Sequence, residues 1–107
     1  MNTPEKVLCS AVWYKELPLK NPDVLLINGF APYNIDKGVV FCGWRHMNCI
    51  YQMIAIYGMK NHEAGESVQG FLTSKNRFVD REEGAEIHVR NGGKLNYGNQ
   101  LYSEDIY

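Results

Sequence analysis

A chain of 107 residues with 45% hydrophobic and 21% charged residues can bury the core of one domain, and we expect a single domain over residues 1–107. The net charge is -1 with histidine neutral, which argues against a protein that binds long nucleic acid through an overall positive charge. The three cysteines fit no disulfide framework, and no apolar run approaches the roughly 20 residues of a membrane span. We therefore expect a cytoplasmic protein that engages no membrane.

Three apolar segments predict strands. Lys6–Tyr14 is apolar on both alternating faces, which is typical of an interior strand. Gly38–Trp44 is rich in β-branched and aromatic residues, and Val68–Thr73 is the third strand candidate. The segment after the first strand is broken by Pro18 and Pro22, so we expect a loop there.

Two segments predict helices. From Met47 to Tyr57 the apolar residues follow helical spacing, and Gly58 is well placed to end that helix. Asp80 is the predicted N-cap of the second helix, with Glu83 three positions on completing a capping box. We expect this helix to stop at Asn91–Gly93.

The second helix and the tail complete the predicted fold. We expect Ala85 and Val89 to face the core, and the aromatic tail from Leu95 to Tyr107 to pack irregularly against the body. The order β, loop, β, α, β, α predicts an α+β domain. In this compact α/β sandwich, a small mixed sheet of about three to four strands packs against two helices.

Arg45 and His46 form the first candidate site because they lie where a strand meets a helix. Free N–H groups and the positive end of the helix dipole are expected beside them, and Gly43 leaves room for a ligand. Arg45 could contact an anion, and His46 could donate a hydrogen bond or move a proton as the catalytic residue. The competing interpretation is a surface arginine and a histidine that caps local backbone.

The second candidate site is the polar turn after the third strand, together with the start of the second helix. Hydroxyls can donate to phosphate oxygens, arginine can do so with two hydrogen bonds, and lysine adds a point charge. The competing interpretation is a solvated turn. The candidate residues are Thr73, Ser74, Lys75, Arg77 and Arg81.

Other chemistry has weaker support in the sequence. The spacing of Cys42, His46 and Cys49 matches no strong zinc pattern, and we expect no metal. A cysteine nucleophile with His46 as its base lacks a visible third group to orient the pair. No cofactor motif is present, so we expect no cofactor. The abundant aromatic residues suit the core better than a nucleobase site, but one of Trp44, Tyr33, Tyr97 and Tyr102 could stack on a base.

Three motifs resemble those of a group of small proteins from bacteriophages and prophages. They read CGWRH (Cys42–His46), GFLTSKNRFVDRE (Gly70–Glu82) and LYSED (Leu101–Asp105), and the resemblance covers most of residues 38–107. Where such proteins often carry alanine after the paired acids, this chain has Gly84, which weakens the helix by about 1 kcal/mol. The resemblance implies a phage setting and supplies no activity.

The leading hypothesis is a phage accessory protein that binds a small phosphorylated nucleotide, linear or cyclic, and so counters host nucleotide-based immune signalling in the host cytoplasm. A homo-oligomer is expected because such pockets are often shared between subunits. One alternative is a metal-independent phosphodiesterase with His46 as general acid or base. The other is an inhibitor that binds a host defence protein and has no small ligand.

Overall fold

The computed structural model describes residues 4–27 and 29–106 of the chain. Over this part, one four-stranded sheet and two α-helices are joined by loops and three short 3-10 helices. The strands are β1 (Val7–Tyr14), β2 (Val39–Gly43), β3 (Ser67–Thr73) and β4 (Phe78–Asp80), and the helices are α1 (His46–Tyr57) and α2 (Arg81–Arg90).

The sheet has the strand order β2-β1-β3-β4, which places β1 in its interior as its two apolar faces predict. The α+β class is confirmed, as are a sheet of this size and the two helices. Every pairing is antiparallel, however, where a mixed sheet was expected. The pairing direction depends on how the connections return the chain: β2 and β3 both run against β1, and a tight turn makes β3 and β4 a hairpin.

β4 is the strand that the sequence did not predict. Its three residues pair with Gly70–Leu72 of β3 and lead directly into α2. Gly70 permits this close pairing, because an added Cβ would overlap the carbonyl oxygen of Val79. The turn of the second candidate site therefore closes a hairpin rather than feeding the helix directly.

Both helices pack on the same face of the sheet. Val12, Tyr14 and Phe41 meet α1 in one buried cluster, while Phe71 meets α2 in another. On the opposite face, Ala11 and other apolar residues are covered by the loop around Ile35. No helix in residues 4–27 and 29–106 is long and apolar enough to cross a membrane.

The predicted helix ends are confirmed. Gly58 has a left-handed backbone (φ 69°) and its N–H donates to the Ile54 carbonyl oxygen. The Asp80 carboxylate accepts a hydrogen bond from the Glu83 N–H at 2.8 Å, which is the predicted N-cap. The predicted capping box is wrong, because the Glu83 carboxylate pairs with Arg77 instead of accepting from the Asp80 N–H.

One predicted core position of α2 is wrong. Ala85 is buried, but Val89 is 51% exposed and Ile87 is buried in its place. Successive residues turn by about 100°, which puts Val89 about 140° from the buried Gly84 around the helix. The tail packs as expected, because Leu101 is fully buried and Leu95 and Ile106 join its cluster.

Candidate functional site

The start of α1 carries the first candidate residue, Arg45. Its backbone is extended, and its N–H donates to Asn48 Oδ1 at 2.9 Å, so Arg45 occupies the N-cap position. Its guanidinium carbon lies 4.6 Å from the centre of the Trp44 ring. This cation–π contact orients the arginine over an indole that is itself 61% exposed.

His46 is buried behind Arg45. Its Nε2 lies 2.8 Å from the Gly70 carbonyl oxygen, and its ring meets the Phe71 ring edge-on at 5.2 Å between centroids. Because a carbonyl can only accept, Nε2 carries the proton and Nδ1 of the neutral ring is the acceptor. Burial lowers the pKa of His46, and the charge of Arg81 adds to this, while the Gly70 carbonyl and Glu104 oppose it. The imidazole is therefore neutral at pH 7.

Arg81 opens α2 and points back to the sheet. Its Nη2 donates to Gln69 Oε1 at 2.7 Å, and its guanidinium carbon lies 4.5 Å from the centre of the Tyr102 ring. Its Nε is buried and has no hydrogen-bond partner among the described residues. No carboxylate of residues 4–27 and 29–106 forms an ion pair with it. A buried donor without a partner is costly, so this arginine is incompletely satisfied.

Arg45, His46 and Arg81 line one cavity of about 450 Å³. We name it the arginine cavity. It joins residues of both candidate sites, and its other walls come from α1, β3 and the tail. The lining residues are Arg45, His46, Met47, Asn48, Ile50, Gln69, Arg81, Tyr102, Ser103 and Glu104.

The hydroxyls of the second candidate site are engaged elsewhere. Thr73 is 1% exposed, and its Oγ1 donates to Glu5 Oε2 at 2.6 Å. Ser74 Oγ accepts from the Lys6 N–H at 2.9 Å. Lys75 lies exposed in the turn, and its N–H donates to Thr73 Oγ1 at 3.3 Å. None of these three residues lines the arginine cavity.

Arg77 is also outside the cavity and is fully paired with carboxylates. Its Nε and Nη2 donate to the two oxygens of Glu5 at 2.8 and 2.9 Å, and Nη2 lies 2.8 Å from Glu83 Oε2. The Glu5 side chain is only 10% exposed. The hydrogen bond from Arg77 lowers the pKa of Glu5 to about 2, with a smaller contribution from Thr73. We call Glu5, Thr73, Arg77 and Glu83 the carboxylate lock.

The sequence analysis missed two contributions to these regions. Glu5 lies 72 residues from Arg77, and no local pattern indicates that they pair. The tail supplies Tyr102 and Glu104 to the cavity, and the LYSED motif was the available signal for it. The Glu104 carboxylate forms no hydrogen bond or ion pair with the described residues. Its neighbour Asp105 instead accepts from the Tyr102 N–H at 2.9 Å.

Cys42 and Cys49, the two cysteines near His46 in the sequence, are both thiols rather than thiolates at pH 7. Residues 4–27 and 29–106 contain no group of three or more His, Cys, Asp or Glu that could hold a metal ion. Cys49 Sγ donates to the Ser10 and Arg45 carbonyl oxygens, and burial raises its pKa to about 11. The pKa of Cys42 is also raised, by its hydrogen bond with Cys9 and by burial, so both thiols are protonated at pH 7.

Comparison with known proteins identifies one family. A family model described as phage T4 y16D protein matches residues 6–107. The match spans the four strands, both helices and every residue that lines the arginine cavity. No curated protein and no solved structure matches the chain.

Proposed function

Because the chain belongs to the phage T4 y16D protein family, we propose that it is a phage accessory protein that binds a small phosphorylated nucleotide in the arginine cavity. It acts in the host cytoplasm, where it counters nucleotide-based immune signalling by holding the nucleotide. The observation that carries this proposal is the buried Arg81 Nε, which has no hydrogen-bond partner among the described residues.

A phosphate oxygen would satisfy Arg81. The guanidinium keeps its orientation through Gln69 and Tyr102, so the side chain is already ordered before a ligand arrives. A charge-assisted hydrogen bond from Nε to an anion would remove the free-energy penalty of a buried donor without a partner. No carboxylate of the described residues competes for this arginine through an ion pair.

The start of α1 adds to the attraction for an anion. The N-terminus of this 12-residue helix lies at the cavity, since His46, Met47 and Asn48 all line it. Helix N-termini favour negative charge through their free N–H groups and through the helix dipole. Arg45 adds a second cation on the same side. We assign the phosphate to Arg45 and Arg81, and to His46 a contact with the ribose, whose hydroxyl can donate to Nδ1.

We assign a different role to the other residues of the second candidate site. Thr73, Ser74 and Arg77 hold the hairpin against Glu5 and Lys6, and Lys75 is a solvated cation of the turn. A homo-oligomer remains a prediction. It is supported by α1, which has no charged residue and exposes Met47 and Tyr51.

Phosphodiester cleavage is the second candidate function, and His46 is the observation that favours it. A neutral imidazole with an acceptor at Nδ1 is the form that a general base needs. Binding without cleavage is preferred because the Gly70 carbonyl occupies Nε2. A single nitrogen would then have to serve both as base and as acid.

The test is depletion of a ligand followed by its recovery. The purified protein is incubated with a panel of cyclic di- and trinucleotides and cyclic ADP-ribose isomers. It is then heated, and the released molecules are separated by chromatography. We expect one ligand to be depleted and then recovered intact. New products would instead identify a phosphodiesterase, whose turnover His46→Ala would abolish.

Matched variants locate the binding. Arg81→Ala should weaken binding by about 10- to 100-fold, since hydrogen bonds to charged groups contribute about 1.5–3 kcal/mol. Arg90→Ala removes an exposed cation at the other end of the same helix and should bind as the wild type does. If no phosphorylated ligand is depleted, the nucleotide proposal is wrong and an inhibitor of a host protein becomes the better hypothesis.

A further inference from the structure

A second cavity adjoins the arginine cavity. It has a volume of about 310 Å³ and is lined by Tyr97, Tyr102 and Glu104. Tyr102 and Glu104 also line the arginine cavity, so the two spaces share a wall. A ligand with an anionic part and a second, uncharged part could extend across both.

The second cavity offers one aromatic surface to such a ligand. Tyr97 is 58% exposed, and its ring meets the Tyr102 ring edge-on at 5.3 Å between centroids. Tyr102 is already covered by the guanidinium of Arg81. The ring on which a flat heterocycle could stack is therefore that of Tyr97.

Glu104 decides which heterocycle would fit. Its carboxylate makes no hydrogen bond or ion pair within residues 4–27 and 29–106, although it faces the cavity that holds Arg45 and Arg81. Asp105, by contrast, is engaged with the Tyr102 N–H and with Asn96. A carboxylate repels phosphate and accepts hydrogen bonds only, so its counterpart in the ligand must be a pair of donors.

We propose that the second cavity takes the guanine of a guanine nucleotide, with its ring on Tyr97 and its Watson–Crick edge on Glu104. Guanine presents two adjacent donors there, N1–H and the N2 amino group, which match the two oxygens of one carboxylate. Adenine presents one donor beside an acceptor, and uracil presents one donor between two carbonyls. This inference rests on the proposed function, because Arg45 and Arg81 must hold the phosphate for the base to reach Glu104.

The test compares four ligands by isothermal titration calorimetry: GMP, IMP, AMP and ribose 5-phosphate. We expect GMP to bind at least about 10-fold more tightly than AMP, because one matched pair of hydrogen bonds discriminates bases by about 1–3 kcal/mol. IMP lacks the N2 amino group and should lie between them. Cyclic di-GMP and cyclic di-AMP repeat the comparison with cyclic ligands.

Two variants separate the base from the phosphate. Glu104→Gln should remove the preference for GMP over AMP, and ribose 5-phosphate should bind at least as tightly as it does to the wild type, because a negative charge is lost from the wall of the arginine cavity. Glu86→Gln removes an exposed acid of α2 outside both cavities and should keep the preference. Tyr97→Ala should weaken the binding of every nucleotide and leave the binding of ribose 5-phosphate unchanged.

The outcomes distinguish the two levels of the proposal. Equal binding of GMP and AMP, or a preference that survives Glu104→Gln, overturns guanine recognition and leaves the phosphate site standing. Failure of all the ligands to bind, ribose 5-phosphate included, contradicts the proposed function and the guanine inference together.

Discussion

Arg77 and Arg81 lie four positions apart in one motif, yet the two arginines are in opposite situations. Arg77 belongs to the carboxylate lock, where Glu5 and Glu83 both pair with its guanidinium. Arg81 stacks on Tyr102 and keeps a buried Nε with no hydrogen-bond partner among the described residues. Motif membership thus gives little information about a cation, because the role depends on which carboxylates the fold brings to it.

The comparison also separates stability from binding. A buried, paired arginine contributes to folding mainly because removing it leaves a carboxylate without its partner. An arginine that keeps one buried donor without a partner, as Arg81 does at Nε, pays a cost in stability and is a candidate for binding a ligand. The variants below test that separation, and each is expected to have a smaller effect on stability than the one before it.

Arg77→Ala should have the largest effect on stability. It leaves the nearly buried Glu5 carboxylate without its bidentate partner, so we expect the free energy of unfolding to fall by about 3 kcal/mol in urea denaturation. Lys75→Ala, an exposed cation of the same turn, should change it by about 0.5 kcal/mol or less. If Arg77→Ala left stability intact and abolished ligand binding, the assignment of the carboxylate lock to folding would be wrong.

Acid should weaken the same lock. The pKa of Glu5 falls from 4.5 to about 2 on folding, so its contribution is fully present above pH 4.5 and is lost as the pH falls through about 2. Glu5→Gln should lower stability at pH 7 by about 1–3 kcal/mol and flatten the loss of stability between pH 5 and pH 2. Urea denaturation at a series of pH values measures both. If Glu5→Gln lost stability in acid as steeply as the wild type does, the pairing of Glu5 with Arg77 would not account for the acid sensitivity.

Arg81→Ala should have the smallest effect on stability. It removes a buried, incompletely bonded group together with its stacking on Tyr102, so the two contributions nearly cancel and we expect a change within about 1 kcal/mol. Its effect should appear in ligand affinity instead. A loss of stability as large as that of Arg77→Ala would make Arg81 a second structural anchor and end the distinction between the two arginines.

The sequence was sufficient for the elements that have a periodic pattern. β1, β2, β3 and both helices lie within a residue or so of their predicted bounds, because long apolar patterns and caps such as Gly58 and Asp80 are local signals. β4 was not predicted because three residues are too few to show a periodic pattern. The role of Glu5 was not predicted because its pairing with Arg77 exists only once the sheet has assembled.

The candidate site was predictable in part. The sequence named Arg45, His46 and Arg81 as candidate site residues, and the fold places all three around one cavity. It could not predict that Arg81 and Arg77 have different roles, because both are arginines of the same motif. The contribution of Glu104 depends on how an irregular tail folds back, and no periodic pattern describes such a segment.

The central position of β1 has a consequence for the growing chain. This first strand has both of its neighbours downstream, and β3 begins only at Ser67. During translation one edge of β1 can pair with β2, but the other edge stays unpaired until β3 has left the ribosome. A fragment that stops before β3 would present an apolar strand with an open edge, which is a template for aggregation. The sheet is therefore completed only after β3 has been synthesised.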